Sequence, residues 1–211
     1  MLHLNTVEPE TLSLLKALLA HEECRCFSLA GGTALALHFG HRISVDLDLF
    51  SQDRFNSNML FESLRASEMF RDNLASCSQS VNSLSLFIKR KDKKIKVDFI
   101  RHHYPLLSPV QYIDDIRIFS VQDIAAMKLN AVANRGAKKD FFDVHRLLKQ
   151  FSLSELLAYF EKKYDQINSF TVLKSLLYFD DAESEPDPIS LIDTSWDEVK
   201  STLHSLVKSH F

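Results

Sequence analysis

Strict alternation of apolar and polar positions organises the first half of the chain. From Ile43 to Phe50, Val45, Leu47 and Leu49 fall on one face and Ser44, Asp46, Asp48 and Phe50 on the other. That period of two predicts a strand that is apolar beneath and acidic above. Leu84 to Lys89 and Ile95 to Arg101 repeat the pattern around the charged stretch Arg90-Lys91-Asp92-Lys93, predicting a hairpin. Its second strand puts Ile95, Val97 and Phe99 opposite Lys96 and Asp98. A shorter strand candidate, Cys26 to Ala30, closes at Gly31-Gly32 and passes into the helix-forming run Thr33 to His38. Amphipathic helices are predicted at Leu12 to Leu19 and Phe55 to Ala66.

From Ser120 the period changes. Ser120-Val121-Gln122-Asp123 has the form of a helix N-cap with an acidic residue three positions on. Helical spacing then predicts helices near 121–134, 138–150, 153–163, 169–178 and 195–209, with Asp180 to Pro188 as a surface loop. The fold class expected is mixed α/β (α+β): a mixed β-sheet with flanking helices over 1–119, then a helical region, 120–211, packed on that core.

Composition sharpens this picture. The 211 residues, 45% hydrophobic and 25% charged, suit a globular chain, and four glycines are few enough that each is informative. A net charge of −3 excludes a uniformly basic surface, so nucleic-acid binding would need a local patch. Cys24, Cys26 and Cys77 cannot all pair, and neither a signal peptide nor a bilayer-length apolar run is visible, so a cytoplasmic location without membrane contact is expected.

Gly31-Gly32-Thr33 stands where a strand ends and a helix begins. Glycine there lets backbone approach a phosphate while helix N–H groups favour the anion, and Thr33 could add a hydroxyl; the same tripeptide also makes an ordinary tight turn. Asp46 and Asp48, two apart on a strand, project from one face and could share hard divalent cations, Mg²⁺ or Mn²⁺. Asp98 adds a third carboxylate on another strand. Three acids above one sheet suit a two-metal site that aligns an attacking hydroxyl and an α-phosphate. His102 and His103 lie just past the Asp98 strand but are not needed if metals activate the nucleophile.

These residues together resemble the AbiEii/AbiGii-type abortive-infection nucleotidyltransferase toxins, within the polymerase-beta-like nucleotidyltransferase superfamily. The resemblance runs over about residues 27 to 150 and is carried by Leu29-Ala30-Gly31-Gly32-Thr33-Ala34-Leu35-Ala36-Leu37, Gly40-His41-Arg42-Ile43-Ser44-Val45-Asp46-Leu47-Asp48-Leu49-Phe50 and Lys96-Val97-Asp98-Phe99. It continues through Lys128 in Asp123-Ile124-Ala125-Ala126-Met127-Lys128-Leu129, Arg135, and Lys138-Lys139-Asp140-Phe141-Phe142-Asp143. Many members carry a longer helical C-terminal region. The resemblance implies a nucleotidyltransferase-like sheet on which Gly31, Gly32 and Thr33 hold a triphosphate, Asp46 and Asp48 bind metals, and Asp98 serves as ligand or base. Lys128 and Asp140 would line the nucleotide pocket; a helix–helix salt bridge is the competing reading. Arg42 could neutralise Asp46 or touch phosphate, or be a plain loop residue, and Asp143 is explained as well by an intrahelical pair with Lys139.

The expected activity is transfer of a nucleoside monophosphate from an NTP to RNA, protein or a small molecule, as the toxin half of a toxin–antitoxin or phage-defence pair with a cognate antitoxin. The basic hairpin 89–96 would suit RNA, although hairpin tips are often charged for solubility. An antibiotic-type small-molecule transferase and a catalytically inactive nucleotide-binding module are the alternatives.

Overall fold

The computed structural model describes residues 1–210 and is built on one seven-stranded sheet. Its strands are β1 (Ser28–Ala30), β2 (Leu47–Ser51), β3 (Leu74–Gln79), β4 (Ser83–Arg90), β5 (Lys93–Arg101), β6 (Gln111–Ile113) and β7 (Ile116–Ile118). They lie in the order β3-β4-β5-β2-β1-β7-β6. β2 runs parallel to β5 and β1 parallel to β7; the remaining neighbours are antiparallel. The helices are α1 (Pro9–Ala20), α2 (Gly31–Phe39), α3 (Ser57–Ala66), α4 (Val121–Asn134), α5 (Lys138–Leu148), α6 (Leu153–Lys163), α7 (Ser169–Ser175), α8 (Asp180–Glu183) and α9 (Trp196–His210).

The predicted alternation sorts the central strands. Leu47 and Leu49 of β2 and Val97 and Phe99 of β5 are fully buried, each worth about 1.5–3 kcal/mol against exposure. Phe27 packs its ring edge-on against both Phe99 and Phe55, at 5.0 and 4.9 Å. One continuous hydrophobic cluster joins these residues to Leu129, Phe141, Phe160 and Val207 of the helical half. The β4–β5 hairpin forms with Lys91 and Asp92 as its two-residue turn, Lys91 taking a positive φ of 52°.

Local signals place the helix ends. Asn56 and Ser120 cap α3 and α4 through their side chains, and Ser152 and Glu155 form a capping box on α6. α2 stops at Gly40, whose φ of 67° suits glycine. Buried Asp123 also accepts hydrogen bonds from Leu107 N, Ser108 N and Lys163 Nζ, tying the loop after β5 and the end of α6 to the start of α4.

Three expectations change. The acidic strand begins at Leu47 instead of Ile43, and Val45, expected on the apolar face, is 54% exposed. Residues 41–44 leave the sheet to bond elsewhere: Ile43 N donates to Ile189 O, Ser44 N to Thr6 O, and Leu191 N to His41 O. Within the expected loop from Asp180 to Pro188, residues Asp180–Glu183 form α8, and the preceding helix ends at Ser175. Strands β3, β6 and β7 were not foreseen.

Candidate active site

The parallel pairing of β2 with β5 sets Asp48 directly across from Asp98. Phe50 and Ile100 form the next rung on that face. α4 lies over it, and between sheet and helix runs a cleft of about 600 Å³ lined by Asp48, Asp98, Lys128 and Arg135 among others, a volume typical of ligand sites. A smaller recess of about 110 Å³ continues past the carboxylates to Arg42, Asp46, Lys96 and Lys139.

α2 begins at this rung with Ala30 as its N-cap, so no side chain caps the first N–H groups. Gly31 has φ 66°, and a Cβ there would collide with the Asp48 carboxylate. A Cβ on Gly32 would lie 2.5 Å from Arg42 Nη2 and 3.6 Å from Lys128 Nζ. Both glycines therefore bring charged side chains against the helix start, which leaves backbone donors and cations around one spot.

Beside it is a chain of charge, buried at every member but Arg135. Arg42 binds Asp143 bidentately, Nε to Oδ1 at 2.7 Å and Nη2 to Oδ2 at 2.9 Å. His41 Nε2 lies 2.8 Å from the same Oδ1. Lys128 Nζ reaches Asp143 Oδ2 at 2.6 Å and Asp140 Oδ1 at 2.8 Å, and Arg135 Nε reaches Asp140 Oδ2 at 2.7 Å. Burial opposes the charge of Asp143, but Arg42 and Lys128 hold its carboxyl well below the usual range. Burial likewise opposes Lys128, and Asp143 and Asp140 more than offset it. Burial lowers His41, so the ring stays neutral. Three cations against two carboxylates leave the chain one positive charge in surplus beside Gly32.

The acids on the sheet differ. Asp48 makes no direct ion pair among the described residues, and its burial, with Asp98 and Asp46 adding to it against Lys128, pushes its pKa up. Asp98 Oδ2 accepts from Lys96 Nζ at 2.6 Å while its Oδ1 is buried without a hydrogen-bond partner. Asp46, just outside the strand, stands 3.8 Å from Lys139. Among the described residues, no three His, Cys, Asp or Glu side chains converge as a ready-made metal cage. The donor chemistry nonetheless fits a hard divalent cation: the donors are carboxylate oxygens, one is orphaned, and Asp48 lacks a counterion.

Comparison with known proteins places this geometry. Residues 13–209 match the family model for the nucleotidyl transferase AbiEii toxin of type IV toxin–antitoxin systems. The chain belongs to this AbiEii family. It is therefore a nucleotidyltransferase of a toxin lineage, and the match extends past the region 27–150 that carried the sequence resemblance. Protein aq_aa25 of Aquifex aeolicus (strain VF5) is 37% identical over 191 residues, 89% of either chain. MenT4, nucleotidyltransferase toxin Rv2826c of Mycobacterium tuberculosis H37Rv, shares the fold with a TM-score of 0.62 at 14% identity, over 95% of this chain and 86% of that one. JHP933 of Helicobacter pylori does so at 0.55 and 20% identity, over 96% and 92%.

In this AbiEii-family chain the residues expected at the site are brought together, with some reassigned in contact. Lys128 lines the cleft, whereas Asp140, expected to line it too, is fully buried behind it and is held in the helix–helix salt bridge with Lys128. Arg42 is buried on Asp143 instead of on Asp46. Thr33 is buried, and its hydroxyl bonds the Asp46 carbonyl and lies 2.9 Å from the Ser44 hydroxyl, so it braces the acidic segment. Asp143, read as a local partner of Lys139, is instead the hub of the buried charge. Its position three residues after Asp140, on the same helix face, was the signal that could have found it. In the basic hairpin, Lys91 and Lys93 pair with Glu10 and Glu8 and Lys96 with Asp98, so half of its six cations are already matched.

Proposed function

We propose that this nucleotidyltransferase is divalent-cation dependent and moves a nucleoside monophosphate from an NTP to a hydroxyl-bearing acceptor, as the toxin of a pair with a cognate antitoxin. The reading rests above all on the Asp48–Asp98 rung beneath the uncapped start of α2. The N–H groups of Gly31, Gly32 and Thr33, with the surplus charge of Arg42 and Lys128, bind the triphosphate tail. Asp46, Asp48 and Asp98 hold Mg²⁺ or Mn²⁺, which when bound neutralises charge on the α-phosphate and the departing pyrophosphate. The acceptor oxygen forms its bond to the α-phosphorus as the bond to pyrophosphate breaks, and Asp98, through its unpartnered Oδ1, assists as ligand or as base for the hydroxyl proton. Asp140 and Arg135 keep Lys128 aimed into the cleft.

The acceptor hydroxyl belongs to RNA, protein or a small molecule. Only Lys89 and Lys94 of the hairpin are exposed without an ion pair among the described residues, a weak basis for RNA. No described helix is long and apolar enough to cross a membrane. The test is incubation with each α-³²P-labelled NTP, Mg²⁺ or Mn²⁺ and separated cellular RNA, protein and small-molecule fractions. Label in one fraction, lost in Asp46→Asn, is expected. Metal-dependent NTP binding with no label in any fraction would replace this reading with an inactive nucleotide-binding module.

A further inference from the structure

The cleft has a second end that phosphate chemistry leaves unused. Beyond the Asp48–Asp98 and Phe50–Ile100 rungs, His102 continues the same face of β5, its N–H donating to Ser51 O at 2.7 Å. At ~3.3 Å per residue it stands about 13 Å from the carboxylates. Tyr104, Tyr164 and Ile167 wall this end, and Asn130 and Asn134 of α4 line the opposite side. The two tyrosine rings meet edge-on at 4.5 Å, and the His102 ring abuts Phe50 at 5.5 Å and Tyr104 at 5.2 Å.

His102 is 92% buried by residue, being 8% exposed, and its Nε2 has no hydrogen-bond partner. A polar atom left unpaired at a ligand-sized cleft costs free energy unless a ligand completes it. The contrast with the other end is chemical. Arg42, Lys96, Lys128, Arg135 and Lys139 gather in the recess beyond Gly32, whereas Lys163, whose charge is felt by His102, is committed to Asp123 and Pro105 O. A nucleoside triphosphate has the same polarity: anionic at one end, flat and aromatic with a polar edge at the other.

Resting on the donor reading above, we propose that this aromatic end is the subsite for the nucleobase of the triphosphate and that His102 reads the base's hydrogen-bonding edge. Burial, aided by the Lys163 charge, depresses the imidazole pKa to about 4, so at neutral pH the ring offers one N–H donor and one lone pair. Such a group discriminates bases without attracting phosphate.

Calorimetric titration of the full chain with the four NTPs and with inorganic tripolyphosphate, all in Mg²⁺, tests this. His102→Phe keeps the ring volume but removes both nitrogens. It should weaken the preferred NTP about tenfold and flatten the differences among the four, with tripolyphosphate affinity unchanged within about twofold. Ile167→Trp, at the partly exposed mouth, should weaken all four NTPs and spare tripolyphosphate, and supplies the test if His102→Phe does not fold. Wild-type NTP affinities in both variants, or equal losses for NTP and tripolyphosphate, overturn the subsite. Failure of the wild-type chain to bind any NTP overturns the donor reading and the subsite with it.

Discussion

Asp143 and Asp48 both feel the charge of Lys128, yet one is surrounded and the other starved. Asp143 is enclosed by Arg42, Lys128 and His41, and every oxygen is spoken for. Asp48 lies over Gly31 with no direct cationic partner among the described residues, and burial raises its pKa. The first arrangement fixes the position of two cations; the second stores unfavourable electrostatics where a ligand can relieve it. Their pH signatures are opposite. The contribution of Asp143 is present above the ordinary carboxylate value of 3.8 and is lost as pH falls through its lowered folded value. The cost of ionised Asp48 is absent below 3.8, grows as pH rises toward its raised folded value, and is complete above it.

The largest effect expected from breaking this contrast is at Asp143. Asp143→Asn leaves Arg42 and Lys128 buried with too little counter-charge, a loss of about 3–5 kcal/mol, or on the order of 10 °C in Tm for a chain of this size. Thermal and urea melts check it; a change under about 1 kcal/mol would show that water, not the carboxylate, satisfies the two cations. Asp48→Asn should do the reverse to stability while cutting transfer by about 10³-fold or more, the loss of ~4 kcal/mol of transition-state stabilisation. Melted without metal at pH 7, the variant should be more stable than wild type, and the difference should vanish below the ordinary carboxylate value of 3.8, where Asp48 is neutral in the folded and the unfolded chain alike. Divalent cation should then raise the Tm of the wild type and not of the variant. A less stable variant at pH 7 would mean that Asp48 is paired and not starved.

The contrast also separates what the sequence made legible from what it hid. Alternation is a local signal, so the β4–β5 hairpin, the acidic face with Asp48 and Asp98, and the Ser120 cap could all be read from neighbours in the chain. The detour at 41–46 obeys the same alternation, but burying His41 and Arg42 on Asp143, 102 and 101 residues away, outweighs it. Asp143 was hidden for the same reason: Lys139 is its neighbour in sequence, whereas its real partners come from α4 and the segment before β2. β6 and β7 have three residues each, too few to establish a period, although Asp114 and Asp115 between them, both at positive φ, are a turn signal.

A middle-sized prediction concerns Thr33, expected from sequence to give its hydroxyl to phosphate and found bracing Asp46. Thr33→Val removes that hydroxyl at nearly constant volume and should cost about 1–2 kcal/mol, a few degrees in Tm, because the Asp46 carbonyl loses its donor. NTP affinity measured alongside should change little. Weaker NTP binding at an unchanged Tm would return the hydroxyl to the phosphate.

The smallest expected change is the most diagnostic of how the starved acids are kept. Lys96 reaches Asp98 from a side chain 41% exposed, so its removal should move stability by no more than about 1 kcal/mol. Its effect on cation binding should exceed its effect on the fold. Lys96→Met leaves Asp46, Asp48 and Asp98 with less positive charge nearby, and a divalent cation no longer competes with an ammonium for Asp98 Oδ2. Mn²⁺ titrated into the variant without nucleotide should therefore bind a few-fold tighter than in wild type, within about 1 kcal/mol. Unchanged or weaker Mn²⁺ binding would place the cation away from Asp98 and reduce the metal set to the carboxylates Asp46 and Asp48.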